Sequence, residues 1–172
     1  MLFVEANGAK IPAIGLGTWE LRGRTCARLV EQALRLGYRH IDTAQVYENE
    51  REVGEGLRAS GTRRDEVFVT TKVWTTHFAP NDLERSTKES LAKLRLSEVD
   101  LLLLHWPNPR VPLSETLGAL AHAIPRTSRL ERLSENMEII DFELSEDEMR
   151  RISVLGGSNG RLTDYGFAPK WD

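Results

Sequence analysis

Four polar residues in this chain could together move a proton to an electrophilic oxygen: Asp42, Tyr47, Lys72 and His105. Taken singly, each has an ordinary reading. Asp42 could cap a helix, Tyr47 could anchor a loop, Lys72 could be a solvated charge and His105 a satisfied core histidine. Lys72 strains that reading, because a lysine inside the apolar run "VFVTTKVW" needs a partner if it is buried, and Asp42 is the obvious one. Tyrosine ordinarily loses its proton near pH ~10, too high for an easy donor at neutral pH. A neighbouring ammonium favours the phenolate and lowers that value. Asp42 would hold Lys72 charged and in place, and His105 could orient a carbonyl oxygen or relay a proton. The product of such convergence is a tuned general acid. Trp19, Trp74 and Trp106 stand, like these groups, at the ends of strand-like runs and would wall an apolar pocket.

The elements that must position these groups follow from patterning. "FVEANGAKIPA" places Asn-Gly between two short strand-like runs, a strong hairpin signal. "AIGLGTWE" is an apolar strand. "RTCARLVEQALRLGYR" repeats apolar residues at Cys26, Leu29, Val30, Ala33, Leu34 and Leu36, a helical period closed by Gly37. "HIDTAQVY" is a strand running into a loop, and "NEREVGEGLRAS" a charged amphipathic helix. "EVFVTTKVW" is β-branched and strand-like. "PNDLERSTKESLAKLRL" is a helix opened at Pro80, with Leu83, Leu91 and Leu94 on its buried face. "VDLLLLHWP" is a continuous apolar run, as expected of a strand covered on both faces. A further helix begins at Ser114, and the tail from Gly156 reads as an irregular loop.

Strand–helix alternation predicts a parallel α/β sheet of right-handed units. Each strand then ends in useful chemistry: Thr18 and Trp19, Asp42, Lys72 and Trp74, His105 and Trp106. The carboxyl ends of parallel strands are where ligands bind.

Composition narrows the partners. The chain has 172 residues, 28% of them charged, with net charge −3, which gives no electrostatic case for nucleic acid or an anionic membrane. The single cysteine, Cys26, cannot form an internal disulfide and reads as packing in a reducing compartment. The first residues lack the pattern of a signal peptide, and the run "LLLLHW" is too short to span a bilayer, so the expected location is the cytoplasm. No metal site is expected, and the phosphate-binding fingerprint GxGxxG after a strand is absent.

The motifs "GLGTW", "HIDTAQVYENE", "TTKVW", "LLLLHWP" and "IPRTSRLERLSEN" resemble those of the aldo-keto reductases, most closely the bacterial 2,5-diketo-gluconate reductase-like members. The resemblance runs from the hairpin to the tail. It implies a (β/α)8 TIM barrel and NADPH-dependent reduction of aldehydes and ketones to alcohols. It matches Tyr47 to the proton donor, with Asp42, Lys72 and His105 completing a tetrad. It matches Thr18, Trp19 and Asp42 to the cofactor side of the pocket. Arg126, Thr127 and Arg132 match positions that hold the cofactor's 2′-phosphate, a helix starting near Ser128 would add its N-terminal dipole to the same cofactor site, and Glu135 and Asn136 match adenine contacts. Guanidinium groups suit a phosphate through paired, charge-assisted hydrogen bonds. The expected partner is a small carbonyl substrate, and a complete barrel would be a monomer.

Length is at odds with a complete barrel, which takes about 250 residues and so exceeds this chain by roughly 80. The deficit falls at a junction near 118–124, where the fourth helix meets a motif of the eighth strand. Strands five to seven, and the family motifs that hold the nicotinamide, have no counterpart. The expected architecture is thus one incomplete barrel domain over 1–172. Three explanations stand: a longer chain of which a stretch is not represented, a real internal deletion, or a rearranged chain completed by a partner through domain swapping. The alternative function is an NADPH-binding or inactive variant without efficient turnover.

Overall fold

The computed structural model describes residues 2–6 and 9–106, together with isolated positions between 108 and 150. The chain opens with an antiparallel hairpin of β1 (Phe3–Ala6) and β2 (Ala9–Pro12), in which Ala6 pairs with Ala9. That register leaves two residues for the connection, the loop length that Asn7-Gly8 predicts; those two lie outside the described residues.

Beyond the hairpin comes the alternation that the sequence predicts: β3 (Leu16–Gly17), α1 (Gly23–Arg35), β4 (His40–Asp42), α2 (Glu50–Ser60), β5 (Phe68–Val73), α3 (Pro80–Leu94) and β6 (Leu101–Leu104). The last four strands form one parallel sheet in the order β3-β4-β5-β6, each beside its neighbour in sequence. Helical positions at Thr116, Ala119 and Leu120 agree with a helix after β6; its expected start at Ser114 lies outside the described residues.

Helices and sheet meet in a core of Val30 and Leu34 from α1, Val53 and Leu57 from α2, Ile41 and Val69 from the strands, and Leu94. A second cluster sets Val73, Phe78 and Leu83 against Leu102 and Leu104. The helices approach closely because α2 carries glycines at its contacts. A Cβ on Gly54 would stand 2.3 Å from the carbonyl oxygen of Leu94, and one on Gly56 would stand 2.5 Å from that of Ala27. Pro80 occupies the first turn of α3, where its missing N–H costs nothing.

Two expectations need correction. Leu29 and Leu36 fit the helical period of α1, yet they are 44% and 81% exposed. The helix presents Cys26, Val30, Ala33 and Leu34 inward, a narrower stripe than the apolar positions suggest, and Leu36 lies past its last turn. The run Leu101–Leu104 is not covered on both faces: Leu103 is 38% exposed. Among the described residues β6 has one strand neighbour, β5, and stands at the edge of the sheet.

Candidate active site

The site lies where the strands end. β4 ends at Asp42, whose neighbours Thr43 and Ala44 lead into a 3-10 turn over Gln45–Tyr47. That turn brings Tyr47 back over the sheet, and Glu48 closes it at φ 56, in the left-handed region. Lys72 is the penultimate residue of β5, and His105 follows the last residue of β6. The His105 N–H donates to the carbonyl of Val73 at 3.0 Å, which fixes this histidine beside the end of β5.

Lys72 is the hub. Its ammonium donates to Asp42 Oδ1 at 2.5 Å, to the carbonyl oxygen of Thr43 at 3.1 Å and to the hydroxyl of Tyr47 at 3.3 Å. An ammonium has three N–H donors and no acceptor, so each of its protons has a partner. The side chain is only 13% exposed, and Asp42 supplies the counter-charge that such burial demands. The Tyr47 oxygen receives one of those hydrogen bonds, which leaves the phenol's own hydrogen to be donated elsewhere.

Aromatic rings pack in series beside Tyr47. Trp19 stands 4.9 Å from the Tyr47 ring, centroid to centroid, at 59°. His105 meets Tyr47 edge-on at 5.4 Å, and Trp74 meets His105 edge-on at 5.3 Å. Trp106 follows His105 and is half-buried. Burial, and secondly the Lys72 ammonium, push His105 down to about 4, against the smaller opposing pull of Asp42. The imidazole is therefore neutral near pH 7 and offers one N–H and one lone pair. Its Nδ1 is buried with no hydrogen-bond partner among the described residues.

The structure thus brings Asp42, Tyr47, Lys72 and His105 together with Trp19 and Trp74. Thr18 is wholly buried: its N–H donates to the carbonyl of Asp42 at 3.0 Å, and its hydroxyl lies 3.1 Å from the same oxygen. Arg126, Thr127, Ser128, Arg132, Glu135 and Asn136 lie outside the described residues, as does most of the junction at 118–124.

Sequence reasoning missed Asn49, which is wholly buried between two loops of the site. Its amide donates to the carbonyls of Thr18 at 2.7 Å and Leu21 at 3.0 Å, and its Oδ1 accepts from the Thr43 hydroxyl at 2.8 Å. It locks the loop carrying Trp19 to the loop carrying Tyr47. The available signal was an uncharged amide among charged residues in "YENERE", directly before a helix. Thr43 was missed as well, because its backbone carbonyl, not its side chain, meets Lys72.

Comparison with known proteins identifies the family. Residues 13–124 match the model of the Aldo/keto reductase family. The methylglyoxal reductase DkgB of Salmonella typhimurium is 40% identical over 161 residues, which is 92% of this chain and 58% of that protein. A solved chain described as 2,5-diketo-D-gluconic acid reductase B superposes with a TM-score of 0.71 at 31% identity, covering 99% of this chain and 97% of that one. The Bombyx mori aldo-keto reductase, solved in complex with NADP, superposes with a TM-score of 0.65 at 35% identity over 71% of this chain and 46% of that one. The chain spans only about half the length of the curated relatives it matches, 43% to 58% of the methylglyoxal reductases. The parallel βα units described above are part of the α/β barrel that these proteins share. The chain belongs to the aldo/keto reductase family.

Proposed function

We propose that this protein is an NADPH-dependent reductase of aldehydes and ketones in which Tyr47 is the proton donor. One observation carries the reading: Lys72 holds Asp42 and the Tyr47 hydroxyl at the same time, with all three ammonium protons engaged. That arrangement orients the phenol and stabilises the phenolate left after its proton has gone. The neutral His105 beside Tyr47 can donate its one N–H to the carbonyl oxygen and hold it within reach of the phenol. Trp19 packs against Tyr47 and Trp74 against His105, and the two indoles would supply an apolar wall for the substrate.

The donor set suits a nicotinamide: a single proton donor, a neutral histidine and an aromatic wall provide for everything in a carbonyl reduction except the hydride. NADPH, when bound, supplies that hydride to the carbonyl carbon. Trp19 and Asp42 would adjoin the nicotinamide, with Thr18 fixing the backbone of Asp42. Arg126, Thr127, Ser128 and Arg132 would take the 2′-phosphate, and Glu135 and Asn136 the adenine. Trp106 would complete the substrate wall. The proton passes from the Tyr47 hydroxyl to the carbonyl oxygen, so the products are an alcohol and a phenolate that regains its proton from solvent.

We place the protein in the cytoplasm, consistent with its one buried, unpaired cysteine. We also read residues 1–172 as one incomplete barrel with a join near 118–124. No helix among the described residues is long and apolar enough to cross a membrane. That the family motifs which hold the nicotinamide have no counterpart in this sequence favours a second reading, a protein that holds NADPH but turns over poorly.

Kinetics of Tyr47→Phe test the proposal. The variant should lose carbonyl-dependent NADPH oxidation and still bind the nucleotide. Wild-type rates in that variant would remove Tyr47 from the mechanism. Tight NADPH binding by the wild type, without turnover of any of several aldehydes, would establish the second reading instead.

A further inference from the structure

Trp74 is held by its backbone from two sides. β5 stops pairing at Val73, opposite Leu104, so the Trp74 N–H falls beyond the ladder. The side chain of Gln45 takes it: Oε1 accepts this N–H at 2.9 Å. The other end of the same amide donates to the Ser90 hydroxyl at 3.2 Å, on the buried face of α3. On the far side, the Asn108 amide donates to the carbonyl of Thr75, the next residue, at 2.8 Å. Gln45 also opens the 3-10 turn that ends at Tyr47. One amide therefore joins the turn of the proton donor, the backbone of a pocket tryptophan and a helix behind the sheet.

We propose that Gln45 is a positioning residue that sets how the site discriminates between large and small carbonyl compounds. The inference rests on the reductase reading and extends it to the substrate. The Trp74 indole stands edge-on to His105, 5.3 Å away, and His105 stands edge-on to Tyr47. A shift of the Trp74 backbone moves the wall against which an aromatic substrate would lie, whereas the three bonds of the Lys72 hub go to Asp42, Thr43 and Tyr47 and use no atom of Gln45 or Trp74. Without the Gln45 amide, the Trp74 N–H has no neighbour in the ladder to replace it, and water or a displaced loop must satisfy it. A benzaldehyde has an aromatic face to lay against that wall, and a small aldehyde has none.

The test compares Gln45→Leu, which removes both hydrogen bonds, with Gln45→Glu, which keeps an acceptor for the Trp74 N–H and can still accept from Ser90. Methylglyoxal and 4-nitrobenzaldehyde are the two substrates. Gln45→Leu should raise KM for 4-nitrobenzaldehyde about tenfold, the cost of one lost hydrogen bond to a positioned group, with a smaller change in kcat. KM for methylglyoxal should move by no more than about twofold, and Gln45→Glu should recover most of the loss. The His105 ring-proton resonance provides a readout independent of turnover. It should shift in Gln45→Leu as the Trp74 ring moves, and return in Gln45→Glu. An unchanged ratio of the two KM values in an active Gln45→Leu variant would overturn the proposal. If the wild type reduces neither aldehyde, the reductase reading fails, and an unmoved His105 resonance in a folded Gln45→Leu variant then overturns the positioning role by itself.

Discussion

The Lys72 ammonium lies 3.3 Å from the Tyr47 hydroxyl and 4.9 Å from the centre of the Tyr47 ring, so the cation touches the phenol at its oxygen and against its face. Both contacts vanish in Lys72→Met, which keeps the length of the side chain and removes the charge. The variant should lose carbonyl reduction by about a hundredfold or more, the usual scale of a disabled acid catalyst. Nucleotide affinity, measured by fluorescence titration, should change far less.

His105 makes stability depend on pH. Its folded value, about 4, lies below the ordinary histidine value near 6.5, so the unfolded chain binds more protons between those two points. The stability that a neutral His105 contributes is therefore complete above about pH 6.5 and is lost as pH falls towards 4. Thermal midpoints should fall over that window in the wild type, and fall less steeply in His105→Asn. Parallel curves for the two proteins would contradict the assignment.

Cys26 should be inert. Burial, and secondly the Glu52 carboxylate, raise its thiol to about 11, against a smaller opposing effect of Arg22. A chromogenic disulfide reagent at pH 8 should label it only after unfolding in urea. Rapid labelling of the native chain would show that the α1 face opens.

Asn49 should be worth more than a typical loop residue. Asn49→Ala would leave the carbonyls of Thr18 and Leu21 without the donor they share, at a cost of about 2–3 kcal/mol. Urea unfolding measures the loss directly. The relative position of Trp19 and Tyr47 should loosen as well, seen as a change in tryptophan emission.

An alanine substitution in α2, with a control at the end of β3, tests how closely the helices pack. Gly54→Ala puts a methyl group 2.3 Å from the Leu94 carbonyl oxygen, a backbone atom that cannot swing aside, and should cost about 1–3 kcal/mol. Gly17→Ala meets nothing within 4 Å and should be close to neutral. Equal midpoints for the two variants would mean that the helices separate without cost.

Much of this site was legible because its four groups sit at strand ends, and strand ends are readable from apolar runs. "FVTTKV" announces β5 by its β-branched residues, and Lys72 stands out within it as the one charge. The pairing of Lys72 with Asp42 followed from the cost of burying an ammonium alone. What patterning did not disclose were contacts made by backbone and by neutral amides. Gln45, Thr43 and Asn49 sit in a stretch with neither helical nor strand period, and their partners are 29 to 31 residues away in three of the principal bonds. Leu29 and Leu36 failed for the opposite reason: periodicity marks a stripe of fixed width, whereas the width actually covered depends on the neighbouring helix.

The strand order β3-β4-β5-β6 also bears on how the protein is made. Every strand pairs with the one just synthesised, and the bonds that join Lys72 to Asp42 and Tyr47 span only 30 and 25 residues. Short loops close at low entropic cost and pair early. On a ribosome the sheet can therefore grow one βα unit at a time from its first strand, each new strand finding its template already laid down. The hydrogen-bonded trio of Asp42, Tyr47 and Lys72 can assemble as soon as β5 is free of the exit tunnel, before β6 has delivered His105.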